Sequence, residues 1–141
     1  MPRFTIADQP FAIAPLRERV LSTHAGAYAS FEGWVRDVND GRPVTALTYE
    51  AYQALAESEG EQILAEALEH FAIIEAVAVH RVGRLALGEL AVWVGVSAGH
   101  RDAAFAACRW ITDEVKSRVP IWKPAHYADG DAGWLHPASG D

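Results

Sequence analysis

A chain of 141 residues, half of them apolar, can bury one core but hardly two, so a single domain over residues 1–141 is expected. Its net charge of -7 argues against a nucleic-acid partner, because a duplex binder gathers Lys and Arg on one face. No apolar run approaches the ~20 residues of a membrane span, and M-P-R-F-T-I-A-D-Q-P lacks the layout of a signal peptide. One Cys excludes an internal disulfide and a multi-thiolate zinc site, which fits a reducing compartment, so the expected localisation is cytoplasmic.

In chain order, a short extended start leads to Pro15, a good first-turn residue, with Ile13, Leu16 and Val20 at helical spacing; a short helix up to His24-Ala25-Gly26 is expected. Residues 27–36 alternate as a half-buried strand does. Ala27, Ala29, Phe31, Gly33 and Val35 take one face, and Tyr28, Ser30, Glu32, Trp34 and Arg36 the other. The run 37–43, D-V-N-D-G-R-P, is dense in turn formers and reads as a mobile loop. A second strand over 44–52 pairs most simply antiparallel to the first.

From Leu55 to Phe71 the period becomes helical, with Ile63, Leu64, Ala67, Leu68 and Phe71 in one stripe and glutamates on an opposite, solvated face. Two apolar segments follow, 73–82 and 90–98, separated by R-V-G-R-L-A-L-G-E. The second is apolar on both faces and belongs at the centre of the sheet, where Gly95 marks a close backbone approach. In the next helix Ala104, Cys108, Ile111 and Val115 form the buried stripe, and Arg109, Asp113 and Lys116 line an exposed side. Pro120 ends that helix by forcing Val119 out of the helical region. Ile121, Lys123 and Ala125 then share one face of an extended segment whose two prolines suit an edge. Strands interleaved with three main helices, several joined by hairpin-length links, indicate an α+β fold with a largely antiparallel sheet.

Chemistry concentrates between residues 92 and 123. Both lysines of the chain, Lys116 and Lys123, lie there, and every other side-chain cation except His is an Arg. An amine can lose a proton and serve as nucleophile or base, whereas a guanidinium cannot. Because Pro120 turns the chain back between them, the two lysines can converge on one pocket, where mutual repulsion and partial burial favour a neutral amine. Each has a plainer reading alone: Lys116 complements the C-terminal end of its helix, and Lys123 is an edge-strand charge that discourages aggregation. S-A-G-H-R at 97–101 passes from strand to helix N-terminus, where free backbone N–H groups attract anions; His100 and Arg101 either add donors or are ordinary first-turn residues. Residues 99–128 hold five bases against three acids, while 50–75 hold seven acids and neither Lys nor Arg. A cationic patch on an acidic protein suits a small anionic ligand. Cys108 reads as a core residue rather than a sulfur carrier, and His80 as a satisfied core histidine. His80, His100, His126 and His136 lack metal-ligand spacing, so neither a metal nor a cofactor is expected.

Five stretches carry a resemblance: F-E-G-W-V-R (31–36), L-T-Y-E-A-Y (47–52), V-H-R-V-G (79–83), G-E-L-A-V-W-V-G-V-S-A-G-H-R-D-A-A-F (88–105) and K-S-R-V-P-I-W-K (116–123). In order and spacing the chain resembles the family of molybdopterin synthase large, catalytic subunits up to Trp134. That resemblance implies an α/β hammerhead fold, a homodimer, and a heterotetramer with two copies of a small ubiquitin-like sulfur-carrier subunit. The carrier's C-terminal Gly-Gly thiocarboxylate would deliver sulfur to cyclic pyranopterin monophosphate, two transfers making the dithiolene of molybdopterin. Position by position it implies Lys116 beside the thiocarboxylate, as acid-base group or transient acyl acceptor, and Lys123 as the second catalytic lysine. It implies Arg36, His100 and Arg101 as holders of phosphate and pterin, with Trp34, Val35, Pro124 and Ala125 lining the rest of the pocket. Trp34 stands where the family usually has Lys, Gly99 where Ala is usual and Ala51 where His is common, and the tail after Trp134 holds no Arg. Two other readings of the same residues stay open: a non-catalytic anion-binding or assembly module, and a lysine Schiff-base enzyme acting on a carbonyl substrate.

Overall fold

The computed structural model describes residues 1–128. Its elements run β1 (Phe4–Ala7), α1 (Ile13–Val20), β2 (Ala27–Trp34), β3 (Val38–Asn39), β4 (Arg42–Ala51), α2 (Gln53–His70), β5 (Ile73–Arg81), β6 (Gly83–Ala86), β7 (Leu90–Ala98), α3 (Arg101–Arg118), β8 (Ile121–Trp122) and β9 (Ala125–Tyr127). The first sheet has the order β1-β5-β7-β2, antiparallel except for the parallel β1–β5 pair. Helices α2 and α3 pack on this sheet together, and α1 packs on β5 and β7.

Burial on both faces explains the unbroken apolar run of β7. Val92, Val94, Val96 and Ala98 join the main core with Ile63, Leu64, Ile111 and Val115, while Trp93 belongs to a smaller cluster with Val20, Val77 and residues of α1. A Cβ on Gly95 would lie 2.2 Å from the Trp93 ring, so that glycine makes room for an indole and not, as expected, for another backbone. Gly60 of α2 does the same for the ring of Phe4. Helix α1 stops at Val20, short of the expected end, because Leu21 is already extended.

Two pairings differ from expectation. Residues 37–43 are not a mobile loop but a tight hairpin, in which Asp40 and Gly41 take positive φ (52° and 75°) between β3 and β4. Strand β4 does not pair with β2, whose ladder partner is β7. It runs instead through a second, five-stranded sheet with β3, β6, β8 and β9. Alternation records which face of a strand is buried and says nothing about which strand lies beside it. Strand β6 lies in the 83–89 link, placing Leu85 opposite Leu47.

The glutamates of α2 are less solvated in role than expected. Glu61 accepts hydrogen bonds from the Arg3 and Phe4 amides, the latter at 3.0 Å, and Glu57 accepts one from the Ile6 amide at 3.2 Å. Carboxylates thus cover the edge of β1 that would otherwise be open to another strand. Arg118, at the end of α3, reaches Glu59 at 2.9 Å, Glu66 at 2.8 Å and Glu114 at 3.2 Å, tying α3 to α2.

That guanidinium, with help from Gln62, holds the Glu66 carboxyl down from 4.5 to about 2. The folded carboxylate is the stronger acid, so its contribution to stability is complete above pH 4.5 and disappears as pH falls toward about 2. Arg118→Ala is therefore expected to lower Tm near neutral pH, with the gap to the parent chain narrowing over that acid window. Thermal melts by circular dichroism across the window check this, and a gap that ignores pH would assign the loss to packing.

Candidate active site

Helix α3 sets the first lysine. Thr112, Val115 and Lys116 fall on one helix face, where buried Val115 fixes the rotation of the helix and half-buried Lys116 follows it. Lys116 thus departs from the exposed side occupied by Arg109 and Asp113, which pair with each other at 3.6 Å. Pro120 leaves Val119 extended (φ -77°, ψ 126°), and the chain returns as β8 alongside Glu50 and Ala51 of β4. Ile121, Lys123 and Ala125 are all buried; at 8% exposure Lys123 is an interior cation and not an edge charge.

Both lysines line one cleft of about 590 Å³, the open solvent at its mouth included. Phe31, Gly33 and Trp34 come to it from β2, and Ala91 and Val92 from β7. Tyr49 comes from β4 and His80 from β5, so the cleft lies where the two sheets meet. A bulge between Gly33 and Trp34 lets residues of both strand faces reach it. A Cβ on Gly33 would lie 2.6 Å from Val92 Cγ1. Trp34, 65% exposed, donates its indole N–H to Glu32 at 3.0 Å. Among the described residues that line the cleft there are two lysines and no carboxylate, so the charge these residues bring favours anions.

His80 is satisfied on one side only. Its Nδ1 lies 2.7 Å from the Arg81 carbonyl oxygen, which can only accept, so Nδ1 carries the proton. Tyr49 packs against the ring edge to face, centroids 4.9 Å apart. Burial first, then the charges of Lys116 and Lys123, pushes its pKa down to about 4 against the pull of the carbonyl, so the ring is neutral near pH 7. Sequence reasoning missed His80 and Tyr49 as site residues. The available signal was a titratable group inside the apolar run of β5, a frequent mark of a functional position.

The other expected site residues do not line this cleft. Val35 and Ala125 are buried in the core, and Pro124 gives its carbonyl to the Thr48 amide at 3.0 Å. Arg36 is exposed, two residues beyond Trp34. His100 is the N-cap of α3 and Arg101 its first residue, both exposed. Lys116 lies near the far end of the same helix, roughly 22 Å from Arg101 at a rise of about 1.5 Å per residue. The tail with Trp134 and His136 lies outside the described residues. Among the described residues no His, Cys, Asp and Glu cluster is arranged to hold a metal, and no helix is long and apolar enough to cross a membrane.

Residues 6–118 match the family model described as MoaE protein. The chain belongs to the MoaE family. It is 43% identical over 127 residues to the molybdopterin synthase catalytic subunit of Synechococcus elongatus, covering 89% of this chain and 77% of that protein. To the protein of the same name from Pyrococcus abyssi it is 52% identical over 104 residues, covering 74% and 70%. The α+β architecture superposes on the crystal structure of molybdopterin synthase from Staphylococcus aureus with a TM-score of 0.89 at 34% identity, covering 96% of this chain and 98% of that one.

As expected, the one thiol of this MoaE-family chain is buried on α3, and burial pushes it up to about 11. A protonated, enclosed thiol is a poor nucleophile. Ellman's reagent is expected to leave the native protein unlabelled near neutral pH and to titrate the thiol once guanidinium unfolds the chain. Rapid labelling of the native protein would put Cys108 within reach of solvent and restore it as a sulfur carrier.

Proposed function

We propose that this chain is the catalytic subunit of a molybdopterin synthase, a sulfurtransferase. It would take sulfur from the C-terminal thiocarboxylate of a small ubiquitin-like carrier subunit and place it on cyclic pyranopterin monophosphate, building the dithiolene of molybdopterin. One observation carries the reading: two lysines enter a cleft that no described carboxylate lines, and both reactants are anions. The name shared by its relatives supports it, and so does a lone thiol too deep to relay sulfur.

In this reading the thiocarboxylate sulfur bonds to an oxygen-bearing carbon of the pyranopterin, the carbon–oxygen bond at that carbon breaks with the oxygen leaving protonated, and the carrier is then joined to the substrate through its acyl group as a thioester. Water then attacks the acyl carbon. The Lys116 amine takes the water's proton, the carbon–sulfur bond to the carrier breaks, and the carrier departs as a carboxylate while the sulfur stays on the pterin. The Lys123 ammonium is the group that steadies negative charge developing on the acyl oxygen. Trp34 walls the cleft, Val35, Pro124 and Ala125 set the backbone around it, and Arg36 holds phosphate from beyond Trp34.

His100 and Arg101 cannot reach the same ligand from within one chain, given the length of α3. A homodimer resolves this. β2 is an edge strand of its sheet, its first residue Ala27 sits opposite Ala98, just before His100 and Arg101, and its last residue Trp34 lines the cleft. Antiparallel pairing of β2 with β2 of a second copy brings His100 and Arg101 of each copy toward the Trp34 end of the other.

Lys116→Ala is expected to bind the carrier but to lose turnover by at least about a hundredfold. Lys116→Arg should fail as well, because a guanidinium keeps the charge and cannot act as base. Mixing the variants with thiocarboxylated carrier and substrate, with product read by mass spectrometry, decides it. Near-normal turnover by the Arg variant would leave Lys116 an electrostatic anchor, and turnover by the Ala variant would favour a non-catalytic anion-binding role. Arg101→Ala should also be weak alone. Mixing equal amounts of the Lys116→Ala and Arg101→Ala chains should then recover up to about a quarter of parental activity, since half the dimers are mixed and each holds one intact site. No recovery in exchanging dimers would place Arg101 in its own chain's site or outside any site.

A further inference from the structure

We infer that Trp34 is the shelf on which the substrate's pterin ring lies: the flat bicycle stacks on the exposed indole at the wall of the lysine cleft. The inference rests on the sulfur-transfer reading for the identity of the ligand, and on this chain's own geometry for how that ligand is held. Trp34 is the last residue of β2, directly after the bulge that lets residues of both strand faces reach the cleft. It lines the cleft with Lys116 and Lys123 and is nevertheless 65% exposed. Tryptophan buries most of its surface on average, so an indole left open beside two lysines offers a large apolar area to a ligand. The ring is also held in place. Its N–H donates to Glu32 Oε1 at 3.0 Å, two residues back along β2. Because that N–H lies in the ring plane, the bond fixes one edge of the indole without covering either face, and among the described residues the indole pairs with no other ring. The same bond engages the Glu32 carboxylate, which is not among the described residues lining the cleft.

A fused heteroaromatic ring suits this wall better than the other reactant does. The carrier's tail ends in two glycines, which have no side chain to lay on an indole. A pterin is flat and electron-poor and an indole is flat and electron-rich, so the two attract in an offset stack. Phe31 and Val92 continue the apolar wall beside Trp34, whereas Lys116 and Lys123 supply the charge. The cleft thus meets two demands with different residues: the indole takes the ring, and the lysines take the reacting, anionic part. In a dimer paired along β2, His100 and Arg101 of the second copy arrive at this same end, so a ring on Trp34 carries its phosphate toward them. The Lys usual at this position in the family offers a charge instead, and this chain exchanges a contact that salt screens for one that salt leaves intact. The plain alternative is a tryptophan whose only duty is to close the interface between two copies.

Pterin-6-carboxylate, a stable fluorescent pterin, is the probe, titrated into the full chain without the carrier. An indole in van der Waals contact quenches an excited pterin by donating an electron to it. The expected result for the parent chain is binding with quenching. Trp34→Leu, which keeps apolar bulk and loses the flat face, should bind roughly tenfold more weakly and without the quenching. Trp34→Phe, which keeps a flat ring, should bind within about threefold of the parent. Tm, carrier affinity and the dimer's sedimentation should stay parental in both variants, while KM for the pyranopterin rises in step with the probe's Kd. Parental affinity and quenching in Trp34→Leu would overturn the inference. So would weaker binding that appears only together with dissociation of the dimer, or a parent chain that binds neither the probe nor the pyranopterin. Failure of the parent chain to make molybdopterin while the probe still binds through Trp34 would instead sink the sulfur-transfer reading and leave the ring shelf standing.

Discussion

Pro120 is the constraint on which the site depends. A proline there forbids the helical conformation to Val119, so α3 must stop within a turn of Lys116, and the backbone must continue extended. Once extended, it adds to β4 as β8 and β9, and the period of two sends Ile121, Lys123 and Ala125 inward together. The two lysines are thus delivered to one cleft by a change of period, from a helix to a strand, within eight residues of chain. A helix continued past Pro120 would carry the second lysine away along α3.

The acidic composition is compatible with a cationic cleft because many of the carboxylates are occupied elsewhere. Glu57 and Glu61 cover β1, Glu59, Glu66 and Glu114 hold Arg118, and Glu89 holds the buried Arg81 at 2.9 Å. These bonds spend negative charge on joining elements and on closing a strand edge. The net charge of -7 therefore says little about the local field where β2, β4, β5 and β7 meet α3. Sheet edges show the same division of labour: β1 is covered by carboxylates from α2, whereas β2 has no second ladder partner among the described residues and remains available to another chain.

How much of this was legible in the sequence depends on whether the deciding interaction was local. Helices α2 and α3 and the central place of β7 followed from periodicity and burial along a single segment, as did the shared face of Ile121, Lys123 and Ala125. Strand partners did not. β4 and β2 carry similar alternating patterns, and only the tertiary placement of β7 and β6 separates them. The Asp40-Gly41 dipeptide was a sufficient hairpin signal and was passed over because its neighbours also favour turns. The separation of Arg101 from Lys116 could have been reckoned from the rise of the helix that carries both. His80 was a different matter, because an imidazole in an apolar strand looks the same whether its second nitrogen faces more core or a cleft. Tyr49, Lys116 and Lys123, which decide that, come from three other parts of the chain.

The same comparison explains why a histidine serves at this position where other polar residues would not. A lysine would add a third like charge, and an Asp or Glu would form an ion pair, fixing an ammonium but discharging the cleft. Serine is too short to reach past the Arg81 carbonyl. Histidine alone offers a donor on one side and an acceptor on the other without charge, provided its protonation is suppressed. Burial and the two lysines suppress it, down to about 4. The ring therefore stays neutral near pH 7 while it remains buried beside the two lysines.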